Sequence, residues 1–99
     1  MRRDARTDGN QKEVTKQLRQ MGCTVAITSM LGEGFPDIVV GYNGRNYLLE
    51  LKDPAQPPSK RKLTPDEKDW HEKWRGSVHI IITAQQAMDM MMLDNPPFG

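Results

Sequence analysis

The chain has 99 residues, of which 36% are hydrophobic and 27% charged, and a net charge of +1; this is enough for one small domain with one core and not for two. Such a balance excludes a generic polycation, so any nucleic-acid contact has to come from the placement of cations and not from their sum. A mean hydropathy of -0.71, the lack of an apolar run of about 18 residues and the lack of a signal-peptide pattern point to a cytoplasmic chain with no membrane segment.

Basic residues gather first at Arg2, Arg3 and Arg6, in a polar stretch expected to be frayed, with order from about residue 8 to residue 94. A first helix is expected from Asn10 to Met21, with Asn10 as N-cap, Glu13 at the capping-box position and Val14, Leu18 and Met21 on one face. Gln11 falls at the edge of that face and Glu13 well off it. Gly22 is a suitable residue to end the helix. Cys23, the single cysteine, cannot form an internal disulfide and reads as a small core residue. A strand follows over Thr24 to Ser29, then a glycine-hinged loop, Leu31-Gly32-Glu33-Gly34-Phe35.

The next segment is the most informative. Two aliphatic runs flank Asn43-Gly44, the strongest short-range hairpin signal. With those two residues as a type I′ loop, Tyr42 faces Arg45 and, further down the ladder, Asp37 faces Glu50. Opposed residues in an antiparallel pair share a face at about 4.5–5.5 Å between Cβ atoms, where like charges repel. Lys52 lies on the same face but half neutralises the pair at most. A hard divalent cation, Mg²⁺ or Mn²⁺, would complete it, since such ions take one or two carboxylates with water and substrate phosphate. The arrangement is that of a phosphodiester-cleaving site.

The strand leads into a proline-rich connector, Pro54 to Pro58, and a second basic cluster, Lys60-Arg61-Lys62. Thr64-Pro65-Asp66-Glu67 starts a second helix, to about Arg75, with Thr64 as N-cap and Glu67 closing a capping box. Trp70 and Trp74, one turn apart, are expected to pack on the core. Ser77 to Thr83 reads as a fourth strand, parallel to its neighbour and buried on both faces. A third helix, Ala84 to about Leu93, is capped by Thr83 and stopped by Asn95-Pro96-Pro97; its methionines cover an arc wide enough to reach a subunit interface. His71 and His79 lack zinc-ligand spacing and read as structural.

Pro36-Asp37, an apolar strand, a tight turn, a second apolar strand and Glu50-Leu51-Lys52 resemble the PD-(D/E)xK nuclease superfamily. With Gly34-Phe35 before the aspartate and Leu63-Thr64-Pro65-Asp66-Glu67 and Trp70 after the lysine, the chain is similar to the VRR-NUC family, the virus-type replication-repair nucleases. The resemblance implies a single restriction-endonuclease-like α/β domain over residues 1–99, with a small mixed four-stranded sheet flanked by helices. It also implies a metal-dependent endonuclease of phage or bacterial type, acting on branched DNA such as Holliday junctions as a homodimer. Asp37, Glu50 and the Leu51 carbonyl would hold Mg²⁺ or Mn²⁺, and Lys52 would orient the attacking water. The family's helix acid falls on Gln11, which brings no charge, and Glu67 stands where the family usually has Gln; Glu13 and Glu67 are further site candidates. Lys60, Arg61 and Lys62, with Arg2, Arg3 and Arg6, would contact DNA phosphates. A flap or nicking endonuclease, or a non-catalytic module that binds DNA structure, would carry many of the same residues.

Overall fold

The structure, a computed structural model, describes residues 10–94. Its strands form one sheet in the order β1 (Thr24–Ile27), β2 (Ile38–Tyr42), β3 (Arg45–Leu51) and β4 (His79–Ile81). The first three run antiparallel in sequence and β4 lies parallel to β3. A parallel neighbour needs a long crossover, and residues 52–78 supply it with α2 (Pro65–Lys73) on the way. The other helices are α1 (Gln11–Gln20) and α3 (Ala84–Asp94). Among the described residues no helix is long and apolar enough to cross a membrane.

Asn43 at φ 52° and Gly44 at φ 80° make the tight turn, and both positive angles are what a type I′ loop requires. The turn sets the register from Tyr42↔Arg45 to Ile38↔Leu49. Along β3 the side chains alternate: Tyr47, Leu49 and Leu51 enter the core, while Leu48, Glu50 and, beyond the strand's end, Lys52 take the opposite face. Helix α1 packs on β1 and α3, and α3 on β4, closing a core that includes Leu18, Ile38, Val40, Leu49, Leu51, Ile81 and Met91. Each such side chain contributes about 1.5–3 kcal/mol by leaving water. Cys23 is buried there with its Sγ 3.6 Å from Met88 Sδ. Helix α1 ends as expected at Gly22, φ 98°, where the Gly22 N–H reaches Arg19 O and the Cys23 N–H reaches Leu18 O.

Several sequence expectations need correction. Asn10 does not close a capping box with Glu13: its backbone is already near-helical at φ -98°, ψ 0°, and its Nδ2 donates instead to Lys52 O (3.1 Å) and Ile82 O (2.8 Å). The long-range partners win because they satisfy carbonyls at the end of the β3–β4 pair. Strand β1 stops at Ile27, two residues early, because Ser29–Leu31 tightens into a 3-10 turn. Strand β4 is shorter than expected and is an edge strand covered on one face only, so Ile80 is 44% exposed while Ile81 is buried. Helix α2 ends at Lys73. Met21, expected on the inner face of the first helix, is 41% exposed.

The tryptophans are the largest departure. No residue of α2 is fully buried, and Trp70 and Trp74 lie outside the core. They stack on each other (centroids 4.5 Å apart, 17° between planes), with Phe35 edge-on to Trp70 at 5.2 Å. The helical period correctly predicts one shared face; what covers that face is decided by the 30s loop, with Gly34 seated directly against Asp66 and Trp70.

Candidate metal centre

Asp37 sits where β2 begins, and its position is over-determined. Its N–H donates to Leu49 O (3.1 Å), its carbonyl accepts from Thr28 N–H (2.8 Å), and Thr28 Oγ1 donates to the carbonyl of the preceding, buried Pro36. The expected direct pairing with Glu50 is offset by one residue. The ladder is in register through Ile38↔Leu49, but the Asp37 N–H goes to Leu49 and the Asp37 Oδ2 takes the Leu51 N–H at 2.7 Å. The side chain thus replaces the backbone as acceptor at the strand's end. Because the N–H and C=O of a strand residue point to the same side, the Leu51 carbonyl also faces the Asp37 side of β3.

The two carboxyls still meet. Glu50 is 1% exposed, and its Oε1 finds no hydrogen-bond donor among the described residues. Burial, then the neighbouring Asp37, then Glu67 push its carboxyl up to about 10, so in the metal-free chain it holds a proton at neutral pH. Asp37 is also raised, by burial first, against the Leu51 N–H and the Glu50 hydrogen bond that lower it. Lys52, 8% exposed, places Nζ 2.9 Å from Glu67 Oε1 and 3.8 Å from Glu50 Oε2.

Glu67 comes to Lys52 through its capping box. The Glu67 N–H donates to Thr64 Oγ1 (3.2 Å), and Glu67 Oε1 accepts from both Thr64 N–H (2.9 Å) and Lys52 Nζ. Burial works to raise its pKa, but Lys52 and the Thr64 N–H outweigh it and hold the carboxyl below its ordinary range. Cap and site contact are therefore one structure. One turn on, His71 Nε2 is buried with no partner among the described residues. Burial lowers the His71 pKa, with Glu67 acting against that and Lys52 with it. His71 belongs to no zinc-ligand pattern, and its i, i+4 spacing from Glu67 is the sequence signal that brings it to this cluster.

Gln11 is 4% exposed, with Nε2 3.4 Å from Ser29 Oγ and Oε1 without a partner among the described residues. Glu13 is not brought to the cluster: it is exposed and accepts from Gln17 one turn along α1. Lys60 and Lys62 are exposed on the connector between Lys52 and α2, and Arg61 donates from Nε to Gln56 O at 2.8 Å. Arg2, Arg3 and Arg6 lie outside the described residues.

Three carboxyls thus crowd one ammonium. No group of three or more His, Cys, Asp or Glu converges in metal-ligating geometry among the described residues, and Glu67 is already held by Lys52. The donor set that fits a cation is Asp37 with Glu50, whose Oε1 has no hydrogen-bond partner among the described residues; two carboxylates completed by carbonyl and water suit a hard divalent ion.

Comparison with known proteins gives one informative likeness. A solved structure described as a VRR_NUC domain superposes with a TM-score of 0.56, covering 87% of this chain and 91% of that one at 23% identity. No family model matches the sequence, and no curated protein does. The chain has the restriction-endonuclease-like fold of the VRR_NUC domain.

Proposed function

We propose that this chain, built on the VRR_NUC fold, is a divalent-metal-dependent DNA endonuclease of the PD-(D/E)xK type. The observation that carries the proposal is the meeting of Asp37, Glu50 and Lys52 at the end of a hairpin, with a buried Glu50 oxygen that has no donor among the described residues. Asp37, Glu50 and the Leu51 carbonyl would hold Mg²⁺ or Mn²⁺. Bound there, such an ion would lower the pKa of a water and polarise a phosphodiester.

The chain's own groups do the rest. The Leu51 N–H and the Asp37 backbone bonds fix the Asp37 carboxylate, and Glu50 must give up its proton for both carboxylates to serve as ligands. Lys52 places a positive charge beside them, where it stabilises charge that develops on the phosphate. Glu67 anchors that ammonium, and Gln11 at the start of α1 can offer an amide to a bound water. Lys60, Arg61 and Lys62, with Arg2, Arg3 and Arg6, would supply phosphate contacts.

The substrate we favour is branched DNA such as a four-way junction, cut by a homodimer whose two sites address symmetry-related strands, in the cytoplasm of a bacterium or a phage-infected host. The exposed Met30, Leu31, Met92 and Leu93 support a partner subunit. A nicking or flap endonuclease would use the same centre without the symmetric dimer. A second reading, a non-catalytic module that binds DNA structure, is favoured by one feature: Gln11 brings no charge where the resemblance implies an acid. Labelled four-way junction, linear duplex, single strand and flap, each incubated with Mg²⁺ or Mn²⁺ and the natural chain or Asp37→Ala, separate these readings. Metal-dependent cleavage that prefers the junction and is lost in the variant supports the proposal; junction binding by folded protein without any cleavage supports the binding module.

A further inference from the structure

We propose that the groove along α1, lined by Gln11, Lys12, Thr15, Lys16, Arg19 and Ile27, is a track for the phosphodiester backbone of a DNA strand that leaves the Asp37–Glu50 centre. The groove has a volume of about 390 Å³. The proposal deepens the nuclease reading and rests on it for the strand's destination.

Charge placement is the first observation. Lys12, Lys16 and Arg19 follow one another at i, i+4 and i+7 and therefore share a face of α1. At 1.5 Å per residue they span about 10 Å of helix axis, close to three phosphate-to-phosphate steps on one strand at about 3.4 Å each. Lys12 and Lys16 have no carboxylate partner among the described residues. Arg19 uses one Nη to reach Val25 O at 3.1 Å, which fixes the guanidinium at the groove's far end. In a chain with net charge +1, such a row of cations is a local concentration of charge.

Buried polar atoms between those cations are the second, independent observation. Thr15 is 3% exposed and Gln11 4%, yet Thr15 Oγ1 and Gln11 Oε1 have no hydrogen-bond partner among the described residues. Buried polar groups are otherwise almost always satisfied, so an orphan calls for a ligand or water. A phosphate oxygen would accept from the Thr15 hydroxyl, and Gln11 Oε1, an acceptor, would take a water that bridges to the next phosphate.

The third is direction. Gln11 lies at the end of the groove and donates to Ser29 Oγ; the adjacent Thr28 holds the Asp37 carbonyl, and Asn10, one residue before Gln11, holds the Lys52 carbonyl. The track therefore starts at the rim of the metal centre.

The test measures binding in EDTA, where no cutting occurs, by anisotropy of a labelled 20-nucleotide single strand and the matching duplex between about 50 and 200 mM salt. Replacing both exposed lysines, Lys12→Ser with Lys16→Ser, should make the slope of log affinity against log salt shallower by about 1.4 for the single strand and about 1.8 for the duplex. Arg45→Ser, at the distant hairpin tip, should leave the slope unchanged. Thr15→Val should weaken binding several-fold while the melting temperature holds or rises, a pairing that a purely structural threonine would not give. An unchanged slope in the double variant, or binding insensitive to Thr15→Val, overturns the track. If the double variant changes only the sedimentation of the free protein, the groove seats a second copy and the proposal is equally overturned. Absence of cleavage by the natural chain, with the slope effect intact, would instead count against the nuclease reading alone.

Discussion

Replacing Glu50 by Gln should stabilise the metal-free protein, although it alters a residue at the heart of the site. Glu50 is 1% exposed and faces Asp37 and Glu67, and the nearby ammonium of Lys52 sits 3.8 Å away but only 2.9 Å from Glu67. Its carboxyl is pushed from 4.5 up to about 10. Because the folded value lies above the unfolded one, Glu50's contribution is most favourable below about pH 4.5 and is lost as pH rises toward 10. At pH 7, folding must take up a proton against a gap of about 2.5 pH units, which at 1.36 kcal/mol per unit costs on the order of 3 kcal/mol. Glutamine keeps the shape, carries no titrating proton and can donate to the Asp37 carboxylate. Urea unfolding in EDTA at pH 5, 7 and 8.5 should show the natural chain losing stability with pH relative to Glu50→Gln, the two differing by up to about 3 kcal/mol at pH 7. Mn²⁺ at a thousandfold excess over Kd should reverse the order: the natural chain then gains about 4.1 kcal/mol, and the variant gains little. Parallel pH profiles for the two proteins in EDTA would refute the reasoning.

Other substitutions probe how the site is held. Thr64→Ala removes the hydroxyl that accepts from Glu67 N–H and should cost about 1 kcal/mol, read as a lower urea midpoint, with slower cleavage because Glu67 loosens its hold on Lys52. Gly34→Ala would drive a Cβ into Asp66 O and to within 2.9 Å of Trp70 Cβ, at a φ of 84°; a stability loss of about 2 kcal/mol or more and altered tryptophan fluorescence are expected, and a neutral result would mean α2 does not rest on this loop. Leu49→Ala, at a fully buried position between the β2 and β4 partners Ile38 and His79, should cost about 2–5 kcal/mol by urea unfolding.

Much of this arrangement was legible in the sequence because its determinants are local. Asn43-Gly44 fixes the turn, and the turn fixes every pair down to Ile38↔Leu49. The Thr64-to-Glu67 cap formed as read, and Gly22 ended α1. What escaped is set by distant partners. Asp37 departs from the ladder because its carboxylate captures Leu51 N–H. Asn10 forgoes its cap for two carbonyls 42 and 72 residues away. Ile80 lies in an apolar run, yet the run cannot say that α1 and α3 cover only the other face of the sheet. Trp70 and Trp74 share a face as their spacing requires, but the loop around Gly34 decides that they form a cluster outside the core.

The most direct test of the metal-centre reading is the initial rate of DNA cleavage in Mn²⁺ by the natural chain and by Lys52→Met, with folding of both checked by circular dichroism. Cleavage by the natural chain that falls about 10²-fold or more in the variant, with DNA binding retained, is the expected result for an ammonium that stabilises developing charge. Equal rates from the two proteins would contradict a catalytic centre built on Asp37, Glu50 and Lys52.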